Sequence, residues 1–375
     1  VNERTYTVNI TGYASGGEGV ARLEDGRVVF VRGAARGDKC EITITSEHPR
    51  SCNADIKSII HPSEHRILSD CPHYPECGGC DFRHITYEEE LRAKLNRVNN
   101  ALERIAKATV RAEDIISTGQ INGYRNKAVF HIESKEENTI VGFYRENTND
   151  ICPIEKCLLL EDEINDALHI IRSNPPCATG SIALRTGGKA NSSQVEINLD
   201  DVIYEVSQES FFQVNNDAAL LLFRRARDYA ALLPSENLLD IYCGVGSMTL
   251  FIGRDARYAL GVESNSIAVD DARNNANRNG IGNVDFICAD AMEHDYSGLK
   301  PDCIIVDPPR KGLAPAVVKK ILEMAPSRIV YVSCDPATLS RDISRLYDYE
   351  ATKISAVDMF PRTANVECCL LLVRR

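Results

Sequence analysis

Leu238-Leu239-Asp240-Ile241-Tyr242-Cys243-Gly244-Val245-Gly246 is a short apolar run that ends in a Gly-x-Gly turn. The run reads as a buried strand, and the glycines read as the loop that passes it into a helix through Met248 and Phe251. Two more apolar runs follow at helix-length intervals. Tyr258-Ala259-Leu260-Gly261-Val262-Glu263 ends on an acid, and so does Val284-Asp285-Phe286-Ile287-Cys288-Ala289-Asp290. Strands alternating with helices predict a doubly wound parallel sheet, an α/β fold, from about Leu238 onward. Ligands of such sheets bind beyond the carboxyl ends of the strands. Glu263 stands about twenty residues after the glycine loop, where these folds hydrogen-bond a ribose, so an adenine nucleoside is the expected ligand. The third glycine of the dinucleotide fingerprint is missing, because Ser247, Met248 and Thr249 follow Gly246. No phosphate-binding lysine follows the loop, which excludes a P-loop.

The next strand ends carry chemistry. Asp302-Cys303-Ile304-Ile305-Val306-Asp307-Pro308-Pro309-Arg310-Lys311-Gly312 delivers an acid and two prolines. Tyr331-Val332-Ser333-Cys334-Asp335-Pro336 delivers a cysteine, and Asn365-Val366-Glu367-Cys368-Cys369 delivers a second acid near the end. This half of the chain resembles the Rossmann-like S-adenosylmethionine-dependent methyltransferases, with a NAD dehydrogenase as the alternative on the glycine-loop segment alone. Asp-Pro-Pro also occurs in methyltransferases that act on exocyclic amino groups of bases, and these need no nucleophile. A thiol with a carboxylate is what methylation of a pyrimidine carbon requires. Uracil C5 is a poor nucleophile until a thiolate adds at C6, and a base must then remove the C5 proton. The bland reading of Cys334 is a buried strand-end cysteine.

Upstream, residues 1–59 read as short strands punctuated by glycines, among them Tyr6–Ile10, Val28–Val31 and Cys40–Ile44, which predicts a small closed barrel. Arg22, Arg27, Arg32 and Arg36 are either phosphate contacts or a solvated surface. Cys71, Cys77 and Cys80 lie within ten residues, with Gly78 and Gly79 between the last two. That spacing predicts a metal site, either zinc or an iron–sulfur cluster. Cys152 and Cys157 are candidates for a fourth ligand, and His73 or His84 would complete a zinc site instead. Residues Tyr87 to about Ala108 read as a helix, with a basic face at Arg92, Lys94, Arg97, Arg104 and Lys107 that is either solvated or nucleic-acid binding. From Tyr124 to about Val206 the pattern is mainly strand, with a short helix from Glu161 to Arg172. The expected division is 1–59, a central segment 60–206 and a catalytic domain 207–375.

Fourteen cysteines, no run of about 18 apolar residues and no leader pattern predict a reducing, cytoplasmic setting without a membrane span. The net charge of −11 argues against indiscriminate nucleic-acid binding, but not against a local basic patch.

Taken together, Cys71…Cys77-Gly-Gly-Cys80, Phe211-Phe212-Gln213-Val214-Asn215, Asp240-x-Tyr242-Cys243-Gly244-x-Gly246, Asp307-Pro-Pro-Arg-Lys-Gly312, Ser333-Cys334-Asp335-Pro336 and Val366-Glu367 resemble the RNA 5-methyluridine methyltransferases, in the iron–sulfur branch that acts on 23S ribosomal RNA. The resemblance implies a Rossmann-like S-adenosylmethionine methyltransferase domain, an N-terminal TRAM or OB-like β-barrel and a central α+β iron–sulfur domain, whose helix over 85–108 would pack on the catalytic domain. It implies that Gln213, Tyr242, Glu263 and Asp307 contact S-adenosylmethionine, that Cys334 is the nucleophile and that Glu367 accepts the proton. Cys71, Cys77, Cys80 and Cys157 would hold a [4Fe–4S] cluster. The substrate would be a loop or bulge uridine splayed onto Phe211, Phe212, Phe360 or Tyr144. No obligate protein partner is expected. A transfer-RNA 5-methyluridine enzyme and a non-catalytic RNA-binding iron–sulfur protein are the alternatives.

Overall fold

The computed structural model describes residues 5–135, 138–187 and 194–375. The N-terminal region holds β1 (Thr5–Asn9), β2 (Gly12–Tyr13), β3 (Gly19–Arg22), β4 (Val28–Arg32), β5 (Lys39–Glu47) and β6 (Ser51–His61) in the order β1-β5-β6-β4-β3-β2. Alternating Val8, Ile10, Val29, Val31, Cys40 and Ile42 bury one face as a core of their own. The order begins and ends on one stretch of chain: residues 5–13 pair with β5 through β1 and with β3 through β2, and Thr11 N between them donates to the Val20 carbonyl at 2.8 Å, as the small barrel expected from sequence requires.

A helix, α1 (Tyr87–Ala101), follows the cysteine-rich stretch, capped by Thr86, whose side chain accepts from Glu89 N at 3.4 Å, with acids filling the first turn. It runs on through a π-helical turn, Leu102–Ala106, and stops at Lys107 in the left-handed region. Next come the short strand β7 (Ile115–Ile116), β8 (Lys127–Lys135), β9 (Asn138–Tyr144), β10 (Ile151–Pro153), α2 (Asp162–Ser173) and β11 (Gly180–Arg185). Strands β8 to β11 form one antiparallel sheet in the order β10-β9-β8-β11. The hairpin β12 (Gln194–Leu199) and β13 (Val202–Ser207) lies before the boundary expected at 206. Its inner residues Val195, Ile197, Val202 and Tyr204 share the core of the large sheet. Asn275 and Asp271, both buried, accept from the hairpin amides of Glu205 at 2.7 Å and Ser207 at 2.9 Å. By packing, this hairpin goes with the C-terminal half rather than with the central segment.

The large sheet contains β14 (Asn237–Ile241), β15 (Tyr258–Glu263), β16 (Val284–Cys288), β17 (Cys303–Val306), β18 (Arg328–Ser333), β19 (Tyr349–Val357) and β20 (Glu367–Arg374). The order is β16-β15-β14-β17-β18-β20-β19-β7. The first five are parallel; β14, β15, β17 and β18 are buried along nearly all their length while edge strand β16 exposes Asp285, and β20 is antiparallel to its neighbours. Helices α3 (Asn216–Ala230), α4 (Ser247–Gly253) and α5 (Ser266–Arg278) share the core on one face. Helices α6 (Pro315–Met324) and α7 (Pro336–Arg345) share the core on the other, with Val98 of α1 and Leu102 just beyond it. No helix among the described residues is long and apolar enough to cross a membrane.

The charged face of α1 is not simply solvated. Lys94 is fully buried and spends its three donors on Glu90 Oε1 at 2.7 Å, Asp358 Oδ1 at 2.6 Å and the Phe360 carbonyl at 3.0 Å. Tyr87 donates to the other Asp358 oxygen at 2.6 Å. Removing the cation strands two carboxylates in low dielectric. Lys94→Met should cost about 3–5 kcal/mol in denaturant unfolding, whereas Arg104→Met, on the following turn, should cost under about 0.5 kcal/mol.

Candidate active site and cysteine cavity

The loop after β14 is conformationally demanding. Tyr242, Gly244 and Gly246 have φ of 71°, 55° and 75°. Gly246 opens α4, and a Cβ there would sit 2.7 Å from the Phe286 ring, so glycine is required by conformation and by space. Tyr242 is a non-glycine residue in the left-handed region, pinned by its amide to the Val262 carbonyl at 2.9 Å. The carboxyl ends of β14 to β17 frame a cleft of about 510 Å³ lined by Tyr242, Val262, Glu263, Asp290, Pro309 and Leu313. That volume suits a nucleoside-sized ligand. Glu263 accepts from Gly244 N at 3.2 Å and from Asn265 N at 2.9 Å, which ties the strand-end acid to the glycine loop.

The Asp-Pro-Pro loop is fixed from below. Gly312 has a φ of 73°, and a Cβ on it would strike the Asp342 carboxylate. Asp342, fully buried on α7, accepts from Leu313 N at 2.7 Å and from the Tyr331 hydroxyl at 2.8 Å.

Cys334 lies between β18 and α7, where Asp335 caps the helix through Ala337 N and Thr338 N. Ser333, the last residue of β18, pairs with Cys368, so the antiparallel run of β20 brings its first residue, Glu367, to the edge where Cys334 follows β18. Asp307 follows parallel β17, one strand away. The thiol of Cys334 is pushed up to about 11, first by burial and then by Glu367, with Arg310 opposing and Asp307 adding to the rise. Glu367, 4% exposed, is pushed up to about 8 by burial and by Asp307, against Arg310. Burial raises Asp307 to about 6. Asp240 rises to about 7 through burial, although Thr249 donates to it at 2.6 Å; Asp307 and Glu263 push it further. Its other oxygen has no partner. Cys334, Glu367 and Asp307 therefore form one electrostatic group with Arg310, the exposed cation of the Asp-Pro-Pro loop that sequence reading quoted without a role.

Gln213 does not line the cleft. It is 8% exposed, and its backbone carbonyl accepts from Asn126 Nδ2 at 3.1 Å. Neighbouring Phe211 is 68% exposed and Phe212 is buried.

A second cavity, of about 310 Å³, is lined by Cys71, Cys77, Cys80 and Cys157. Cys152 points into the apolar core of the four-stranded sheet instead. His73 lines the cavity, whereas His84 is engaged with the Tyr74 hydroxyl at 2.6 Å. Among the described residues, no three His, Cys, Asp or Glu side chains converge closely enough to chelate a single ion. Arg83, 1% exposed, also lines the cavity and interacts with the Cys80 thiol; its Nη1 is on Asp70 at 2.6 Å and its Nε has no partner. A buried cation with a spare donor beside four thiols suits an anionic thiolate-bound group. Nothing in the cysteine spacing pointed to Arg83.

The Rossmann-like sheet, the strained glycine loop and the strand-end acids define an S-adenosylmethionine-dependent methyltransferase. The family model of the tRNA (uracil-5-)-methyltransferases matches residues 189–375, and that of the TRAM domain matches residues 2–57. An uncharacterized RNA methyltransferase from Caldanaerobacter subterraneus is 31% identical, over 98% of this chain and 98% of its own. Another, from Clostridium acetobutylicum, is 30% identical over 98% and 97%. The crystal structure of Pyrococcus abyssi tRNA (uracil-54, C5)-methyltransferase in complex with S-adenosyl-L-homocysteine superposes with a TM-score of 0.77. Sequence identity is 25%, over 98% of this chain and all of that one. The protein belongs to the RNA uracil-5-methyltransferase family, with an N-terminal TRAM domain and S-adenosylmethionine as methyl donor.

The raised carboxylates carry a consequence for cofactor binding. Asp307, Asp240 and Glu367 shift to about 6, 7 and 8, so near pH 7 in the ligand-free protein Glu367 is mostly protonated, Asp240 is about half protonated and Asp307 is mostly ionised. A sulfonium cation favours their charged forms, so its binding releases protons and tightens as pH rises from about 6 to 8. The expected gain is up to about tenfold per pH unit for each proton released, and smaller for uncharged S-adenosylhomocysteine. Calorimetry in two buffers of different ionisation enthalpy measures it.

Proposed function

We propose that this enzyme methylates C5 of a loop or bulge uridine in 23S ribosomal RNA, with Cys334 as nucleophile and Glu367 as base. The observation that carries the mechanism is the sheet register: β20 starts at Glu367 beside the end of its antiparallel neighbour β18, one residue before Cys334. The Cys334 thiolate adds to uracil C6, and the electron pair reaches C5 through the enolate. S-adenosylmethionine supplies an electrophilic methyl group on a sulfonium. Glu367 takes the C5 proton, the C5–C6 double bond re-forms, and the C6–S bond breaks to return the thiolate. Arg310 lowers the thiol and the carboxyl toward their reactive forms. Tyr242 and Glu263, which line the cleft, hold the cofactor, and Asp307 and Gln213, which do not line it in the ligand-free protein, are its other expected contacts.

Cys71, Cys77, Cys80 and Cys157 are the residues that would hold a [4Fe–4S] cluster. What supports this reading is that all four thiols line one cavity, with the buried Arg83 guanidinium beside them. Cys157→Ser should lower bound iron and sulfide in anaerobically purified protein, and Cys152→Ser should not. Transfer RNA is the second reading, favoured by the structural likeness to a transfer-RNA enzyme. Incubating unmodified 23S fragments and transfer-RNA transcripts with methyl-labelled cofactor, then digesting to nucleosides, separates the two. Label in 5-methyluridine from 23S RNA supports the first reading, and label from transfer RNA alone replaces it with the second.

A further inference from the structure

The segment that leads into Glu367 is held almost entirely by the stretch that follows the cysteines. Arg362 O accepts from Asp81 N at 2.9 Å and from Phe82 N at 3.1 Å, and Ala364 N donates to Asp81 Oδ2 at 2.7 Å. Arg362 N donates to Glu90 at 2.6 Å, Ala364 O accepts from Arg97 at 2.7 Å, and Pro361 O accepts from the Tyr124 hydroxyl at 2.9 Å. These bonds hold Arg362 at a φ of 70°, a conformation that costs a non-glycine residue energy and persists only where its surroundings enforce it. Asp81 follows Cys80 directly, and Ala364 is three residues before Glu367. Asp81 thus joins the wall of the cysteine cavity to the start of β20.

We infer that Asp81 is a positioning residue for Glu367: by gripping Ala364 it fixes the carboxylate for proton removal from C5, so that the cysteine loop governs release of the covalent RNA complex. The inference rests on the reading of Glu367 as the base. A small displacement of a general base slows its own step and leaves earlier steps intact. The step concerned breaks the C5–H bond, passes the proton to Glu367 and expels the Cys334 thiolate. Addition of that thiolate and methyl transfer need Cys334 and cofactor only.

The test uses Asp81→Ala, Asp81→Asn and Glu367→Gln in the full chain. With ordinary uridine RNA and cofactor, Asp81→Ala should release methylated RNA about 10- to 100-fold more slowly and accumulate a denaturant-resistant protein–RNA complex. Asp81→Asn keeps an oxygen acceptor for Ala364 N and should restore most of the release rate. With 5-fluorouridine RNA, which has no C5 proton to lose, Asp81→Ala should form the trapped complex at the wild-type rate. Amide exchange over residues 361–366 should quicken in Asp81→Ala and not in Glu367→Gln. Free release by Asp81→Ala while Glu367→Gln accumulates complex overturns the inference and leaves the base assignment standing. Loss of the 5-fluorouridine complex in Asp81→Ala also overturns it, because Asp81 then supports the fold as a whole. Absence of accumulated complex in both variants overturns the base assignment and this inference with it.

Discussion

On the proposed mechanism, Cys334→Ala should abolish methyl transfer, with kcat/KM falling at least ~10⁴-fold, while cofactor affinity should stay within about twofold of wild type. The expected loss is this large because in the proposed mechanism the thiolate is the source of electron density that makes C5 nucleophilic, and removing a covalent catalyst leaves only binding and orientation. Affinity survives because Cys334 does not line the cofactor cleft, whose walls come from Tyr242, Glu263, Asp290 and the Asp-Pro-Pro loop. Folding survives because the side chain is only partly buried and the loop is held by its neighbours, Ser333 and Asp335. Single-turnover transfer from labelled cofactor measures the rate, and equilibrium dialysis measures the affinity. A variant that retains more than a percent of the wild-type rate contradicts the assignment.

The second large effect is at Glu367. With Glu367 as the proposed base, Glu367→Gln should lower turnover by roughly 10²–10⁴-fold and leave the methylated RNA attached to Cys334. The same substitution raises stability. In the folded protein the carboxyl sits at about 8 against an ordinary 4.5, so the folded state binds the proton more tightly than the unfolded state. The wild type then loses stability as pH rises from about 4.5 to 8, at about 1.4 kcal/mol per unit, and glutamine removes that loss. Denaturant unfolding at pH 5 and pH 8.5 should show the variant nearly equal to wild type at the first and more stable, on the order of 4 kcal/mol, at the second. No gain at pH 8.5 means that the carboxyl is not held against its charge. A carboxyl kept uncomfortable in the free protein is ready to become a base once a cation arrives beside it.

Much of this organisation was legible in the chain because buried parallel strands write themselves as apolar runs. Leu238–Ile241, Cys303–Val306 and Arg328–Ser333 carry their acid or thiol at the end that faces ligand. Other parts left no such trace. Strand β7 is two residues long, and only its pairing with β19 attaches it to the large sheet. Lys94 and Glu90 look like solvated helix charges until Asp358, far along the chain, supplies their partner. Residues 194–207 alternate as any half-buried hairpin does, and nothing local says which core receives the buried half. Cys152 and Cys157 are equally spaced for ligation on paper, and burial decides that one faces apolar packing while the other faces the cavity. The grip of Asp81 on Ala364 spans 283 residues and has no sequence signature.

The most direct test of the account is the identity of the protein atom joined to RNA. A 23S fragment carrying 5-fluorouridine is incubated with the enzyme and S-adenosylmethionine, denatured, digested with protease and nuclease, and analysed by tandem mass spectrometry. The account predicts one modified peptide, with a methylated 5-fluorouridine nucleotide on Cys334. A nucleotide attached at another residue, or methylated RNA with no attached protein, would contradict it.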